Sequence, residues 1–243
     1  MNPNQDRSYR SLVSKHKLKT FRVVVKETDL MVRTERPLEE ETTDLVLKHR
    51  MALERYIEDH PDFVDRLTPS PPDPLAPPIV KTMMQAGQKA GVGPMGAVAG
   101  ALAEYVGMDL LAHSKEVIIE NGGDIFIRTT FPLTVAILAG HSSLSGKLGV
   151  HIDSPGSAVG VCTSSGTVGH SLSLGRADAA VVISASAALA DAAATAIGNA
   201  VSDKADIASA IGLGKNIDGV LGIVVILDDK LGVWGQAELV KLG

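Results

Sequence analysis

Asp191 is the residue most out of place in its surroundings. It lies within Ala187-Ala188-Leu189-Ala190-Asp191-Ala192-Ala193-Ala194-Thr195-Ala196, a run otherwise suited only to burial. From Thr129 to Ala200 the only charged side chains are Lys147, Asp153, Arg176, Asp178 and Asp191. Helical spacing puts Asp191, Thr195 and Asn199 on one face. A carboxylate buried there needs a cation, an arginine or backbone donors. A hard cation such as Mg²⁺ takes oxygen ligands, and a carboxylate one turn from a hydroxyl supplies two of them. The alternative is a hydrogen-bonded structural carboxylate.

Two further segments carry candidate chemistry. Asn121-Gly122-Gly123-Asp124 follows an apolar β run. Its glycines permit positive φ and close approach of a ligand to the backbone, and a plain hairpin turn would use them equally well. Cys162-Thr163-Ser164-Ser165-Gly166-Thr167-Val168-Gly169-His170-Ser171 follows another β run. Its hydroxyls and main-chain amides suit an anion, with Thr163, Ser164, Ser165 and Gly166 nearest the strand. It lacks the Gly-Lys-[Ser/Thr] ending of a P-loop, which excludes an NTPase of that type. His170 is a candidate general acid or base, or else a structural histidine. Cys162 is the chain's one thiol; it is either a nucleophile or a buried, inert side chain. No Gly-x-Ser-x-Gly elbow points to a serine hydrolase.

The elements that position these residues follow from periodicity. Residues 21–25 and 30–32 read as a strand pair with a turn near Thr28-Asp29. Residues 38–59 carry a helical apolar pattern, with Glu39, Glu40 and Glu41 at the dipole-favoured end, and Pro61 stops it. Pro69, Pro71, Pro72, Pro74, Pro77 and Pro78 make 69–78 a stiff connector. Residues 1–68 offer too little apolar surface to stand alone, so they are expected to join the 79–243 body in one structural unit. Helices are expected over 79–90 and 93–113, the second opened by Gly93-Pro94. Strands follow at 116–120, 125–130, 133–139, 148–152, 158–163 and 179–184, and helices at 186–201 and 205–213. Residues 220–227 and 232–240 close the chain as a hairpin around Asp228-Asp229-Lys230. This order predicts an α+β fold with largely antiparallel pairing.

Composition sets the remaining bounds. The net charge of −5 argues against an extended nucleic-acid groove. Arg7, Arg10, Lys15, Lys17, Lys19, Arg22 and Lys26 concentrate positive charge at the start of the chain, as a solvated edge or an anion contact. A single cysteine fits a reducing compartment, and no run of about 18 apolar residues reads as a membrane span. The expected location is the cytoplasm. Small residues along 93–113 allow close self-association, so a homo-oligomer is an expectation.

Three segments, in order, resemble the ApbE-like (FAD:protein FMN transferase) superfamily. Gly96-Ala97-Val98-Ala99 is similar to its Asp-Leu-Gly-Ala-Ile-Ala-Lys-Gly helix. Val117 to Ile125, through Asn121-Gly122-Gly123-Asp124, resembles its strand ending in Gly-Gly-Asp-Ile. Cys162 to Gly166 together with Ala185 to Ala196 resembles its Thr-Ser-Gly loop and Ala-Asp-Ala-x-Ala-Thr-Ala helix. The likeness covers about 93–202. The phrase from Cys162 to Ser171 is similar to a little-characterised cytoplasmic branch. Two positions depart from the pattern: Pro94 stands where the family has Asp, and Gly100 where it has Lys.

The resemblance implies a duplicated T-fold-like arrangement of antiparallel sheets with packed helices. It implies FAD or FMN as a small-molecule ligand, and Mg²⁺ held by Asp191, Thr195 and the carbonyl of Gly96 or Ala97. Three functions follow as expectations. The first is an accessory role in sulfur assimilation, forming homocysteine from aspartate semialdehyde and sulfide beside a ferredoxin-like partner, with Cys162 the only thiol available. The second is a Mg²⁺-dependent flavin transferase or FAD pyrophosphatase. The third is a non-catalytic flavin- or metabolite-binding scaffold.

Overall fold

The computed structural model describes residues 18–166 and 175–242. Strand pair β1 (Lys19–Val25) and β2 (Thr28–Thr34) leads into α1 (Glu39–Asp59), the single turn α2 (Asp62–Asp65), α3 (Pro78–Ala90), a 3-10 turn (Pro94–Ala97) and α4 (Val98–Leu110). The pair β3 (Val117–Asn121) and β4 (Asp124–Arg128) completes a strands–helices–strands unit. After β5 (Leu133–Ala136) and β6 (Leu148–Ile152) the pattern repeats: β7 (Val159–Ser164), β8 (Ala179–Ser184), α5 (Ala187–Asn199), α6 (Ile207–Lys215), β9 (Val220–Leu227) and β10 (Lys230–Gly235). A last strand, β11 (Glu238–Lys241), follows. The fold is therefore the expected α+β duplication, two strand–helix–strand units side by side.

Both units lie in one antiparallel sheet of eight strands, ordered β1-β2-β3-β4-β7-β8-β9-β10, and β11-β6-β5 form a second. The helices cover one face of the large sheet through Val117, Ile119, Phe126, Val182, Ile223 and Val225. The small sheet covers the other through Ile118, Ile127, Val161, Val181, Val224 and Ile226. Central strands are thus buried on both sides. This is why β8 reads Ala-Ala-Val-Val-Ile-Ser without alternation and is buried throughout. Each Val or Ile so buried contributes roughly 1.5–3 kcal/mol. Among the described residues no helix is long and apolar enough to cross a membrane.

Three expectations are corrected. The first turn, expected near Thr28-Asp29, lies two residues earlier at Lys26 and Glu27; Lys26 takes φ of 52°, and Thr28 and Asp29 are already paired with Val25 and Val24. The helix expected over 93–113 opens as a 3-10 turn and becomes α-helical only at Val98. The strand expected over 232–240 is two strands. Residues 230–235 pair with β9, whereas 238–241 pair with β6 in the other sheet. The break falls at Gly235, whose φ of 72° redirects the chain.

Candidate functional site

The site lies where α5 crosses the start of α4 above the β3–β4 hairpin and the end of β7. Ser186 starts α5, its hydroxyl accepting from Leu189 N–H. The alanines of the helix pack against β7, β8 and the neighbouring helices, and nearly all are fully buried. Asp191, Thr195 and Asn199 are only partly buried. They form an accessible stripe on a helix otherwise enclosed.

That stripe faces the segment from Gly96 to Gly100. The Asp191 Oδ2 accepts from Gly100 N–H at 2.9 Å. One turn on, the Thr195 hydroxyl faces the Gly96 carbonyl oxygen at 3.4 Å, long against the usual value of about 2.7 Å for a hydroxyl donor. The predicted Asp191, Thr195 and Gly96 thus come together, from segments nearly a hundred residues apart. Ala97 lies in the same 3-10 turn and is buried.

The Asn-Gly-Gly-Asp segment is a two-residue hairpin, with φ of 67° at Gly122 and 116° at Gly123, the conformation that favours glycine at both central positions. It also holds the site together. Asn121 Nδ2 donates to the Ala99 carbonyl at 3.1 Å. Asp124 begins β4 on the helix-facing side and is buried. The Thr163 N–H donates to it, and the Cys162 thiol lies against it. Its Oδ1 has no hydrogen-bond partner. Burial, with a smaller push from the charge of Glu120, moves the Asp124 carboxyl up to about 7. Asp191 is likewise pushed well above the carboxylate range, by burial and then by repulsion from Asp124, against the Gly100 and Ala99 amides. Two carboxyl groups are thus held close enough to resist simultaneous ionisation.

Cys162, on β7, is within reach of both charges. It is fully buried and its thiol donates to the Ala187 carbonyl at 3.3 Å. Burial and the charges of Asp124 and Asp191 push the thiol well above its ordinary range, so at neutral pH it is protonated and out of solvent. A disulfide reagent is expected to titrate it only on unfolding, at least about a hundredfold more slowly in the native protein; prompt reaction under native conditions would show that the thiol is accessible.

Strand alternation places Ser164 beside Gly198 of α5, where a Cβ would stand 3.2 Å from Ser164 Oγ. Thr163, on the opposite face, offers Asp124 its main-chain N–H. Ser165 is partly buried and Gly166 exposed; the Gly166 N–H donates to Ala177 O at 2.9 Å. His170 lies outside the described residues. Glu104 was not foreseen, yet it is the only charge between Lys89 and Asp109, the same signal that singled out Asp191. Its Oε2 accepts from the Ser186 hydroxyl at 2.8 Å and Ala188 N–H at 3.0 Å.

The donor set is oxygen throughout: carboxylates, a hydroxyl and a carbonyl. Among the described residues no three His, Cys, Asp or Glu side chains are grouped to hold a metal. A cation here would draw on hydroxyl and main-chain oxygens beside the carboxylates, which suits a hard ion. The orphan Oδ1 of Asp124 and the long Thr195–Gly96 contact are the features such an ion would resolve.

A family model described as AbpE bacteria matches residues 10–230. A UPF0280 protein of Methanocaldococcus jannaschii is 40% identical over 227 residues, covering 90% of this chain and 92% of its own length. A UPF0280 protein of Methanosarcina barkeri is 43% identical over 194 residues, covering 79% and 76%. Among solved structures, the apo form of the Pseudomonas stutzeri flavinyl transferase ApbE superposes with a TM-score of 0.58 at 14% identity, over 90% of this chain and 94% of that one. The flavin transferase ApbE from Vibrio cholerae gives 0.57 at 11% identity, over 90% and 97%. At these identities the likeness to the solved structures is one of fold.

Proposed function

Since the chain belongs to the family described as AbpE bacteria, we propose that its site binds a flavin nucleotide through a divalent cation, held by Asp191, Thr195 and the Gly96 carbonyl oxygen. The observation that carries this reading is the convergence of those three groups on one partly accessible stripe of α5. Asp124 is near enough to press on the charge of Asp191 and supplies the unsatisfied oxygen beside it. When bound, the cation would polarise a phosphate oxygen as a Lewis acid.

The residues around it set the terms of binding. Among the described residues, the groups brought together here include no lysine or arginine. Gly100 stands where a lysine would be expected from the resemblance, and α5 leaves it no room: a Cβ there would lie 2.3 Å from the Ala187 carbonyl oxygen. The two carboxyl groups offer a pyrophosphate no positive charge, so the cation must supply it. Binding of FAD is therefore expected to depend on the metal.

Calorimetric titration of FAD, with and without Mg²⁺, tests this in the wild type and in Asp191→Asn. The expected result is metal-dependent binding, weakened at least about a hundredfold in the variant, beyond what outer-shell losses usually produce. Equal affinity in the variant removes the cation from Asp191. No binding with or without Mg²⁺ removes the flavin reading. A role in sulfur assimilation finds less support, because the only thiol is enclosed and protonated.

A further inference from the structure

We propose that Glu104 is a positioning residue of this site: from α4 it fastens the start of α5 and so holds Asp191 and Thr195 against Gly100 and Gly96. The proposal rests on the cation-binding reading for its functional consequence, though not for its geometry.

The two helices cap each other. The first amides of any helix lack partners within it. Ala188 is in the first turn of α5, and its N–H donates to Glu104 Oε2 on α4 at 3.0 Å. Gly100 is in the first turn of α4, and its N–H donates to Asp191 Oδ2 on α5 at 2.9 Å. Ser186 completes the fastening. Its hydroxyl donates to Glu104 at 2.8 Å and accepts from Leu189 N–H at 3.3 Å, so one side-chain oxygen joins the cap of α5 to α4.

The spacing makes these contacts a clamp. Glu104 and Gly100 are one turn apart on α4, while Ala188 and Asp191 are about one turn apart on α5. Two bonds at that separation set both the rotation and the axial position of α5 against α4. Between them the backbones meet at Gly100 and Ala187, where contact alone resists sliding but not pivoting. Without Glu104, α5 can turn about Ala187, moving Asp191 off the Gly100 amide and Thr195 away from Gly96. Loss of an ordinary helix cap would lower stability and leave the site unaffected. A clamp would disturb the site by more than it disturbs folding.

The test uses Mn²⁺ as a paramagnetic probe of cation affinity, and hydrogen exchange at the Gly100 amide as a metal-independent probe. Wild type, Glu104→Ala and Glu104→Gln are compared. In Glu104→Ala, Mn²⁺ affinity is expected to fall about tenfold or more, and Gly100 exchange to quicken. Glu104→Gln should restore most of both, because its amide oxygen still accepts from Ser186 and Ala188. Wild-type Mn²⁺ affinity together with wild-type Gly100 exchange in Glu104→Ala would overturn the proposal. If the wild type itself binds no Mn²⁺, the cation reading fails and Gly100 exchange decides alone: faster exchange in Glu104→Ala upholds the clamp, and unchanged exchange removes it. Should Glu104→Ala not fold, Ser186→Ala takes its place with the same readouts.

Discussion

In metal-free buffer, urea denaturation is expected to find this protein roughly 3 kcal/mol more stable at pH 5 than at pH 8 on account of Asp124 alone. The carboxyl is raised from 3.8 to about 7 in the folded chain. Between those values the folded protein keeps a proton that the unfolded chain has released. Rising pH therefore favours the unfolded state across this window, and the loss levels off above about pH 7. At about 1.4 kcal/mol per unit, the full span is about 4 kcal/mol, of which the part below pH 5 lies outside the comparison. Asp191 is shifted in the same direction and adds to the slope. Asp124→Asn carries no ionisable group and keeps the shape, so it should flatten the dependence and be the more stable protein at pH 8. Mg²⁺ should flatten it as well if the cation sits between the carboxylates. A wild type equally stable at both pH values, with Asp124→Asn no different, would show that Asp124 ionises freely.

Gly100→Ala should destabilise the protein by about 2 kcal/mol or more and remove metal-dependent binding with it. The new Cβ would lie 2.3 Å from the Ala187 carbonyl oxygen, 2.8 Å from the Ala187 carbonyl carbon and 2.8 Å from Asp191 Cβ. Two of these are backbone atoms of a packed helix and cannot turn aside. Overfilling a packed contact costs roughly 1–3 kcal/mol, occasionally more, and the better helix propensity of alanine returns about 1 kcal/mol at most. Pushing α5 back also withdraws Asp191 from the Gly100 amide. Gly212 provides the control. It lies in α6 with nothing within 4 Å of a Cβ, so Gly212→Ala should be neutral or stabilising by up to about 1 kcal/mol. Equal behaviour of the two variants, measured by denaturation and by FAD titration with Mg²⁺, would mean that α4 and α5 can separate freely.

Local pattern carried much of the fold. The run of helix α1, its acidic first turn and its stop before Pro61 follow from periodicity, dipole and proline chemistry. The bounds of β8 and β9 could be read from apolar stretches between turn residues. The pattern over 232–240 predicts one closing strand where there are two, because apolar alternation does not show which sheet a strand will join. That choice is made at Gly235, by a backbone turn whose partner strand lies over eighty residues earlier.

Residue spacing and backbone preference along the chain are enough to make Asp191 unusual, to put Thr195 on its helix face and to make Gly122 and Gly123 a tight turn. Each is a local property, set by spacing along one element or by the φ a residue can adopt. Packing of α4 on α5 is what sets the Gly100 amide on Asp191 and lets Asp124 press on it. The tertiary structure alone made Cys162 a buried donor to Ala187, and made Glu104 the partner of Ser186 and Ala188. These are contacts between segments distant in the chain. They depend on how closely two helix backbones approach across a sheet, and side-chain spacing within one segment does not encode that distance.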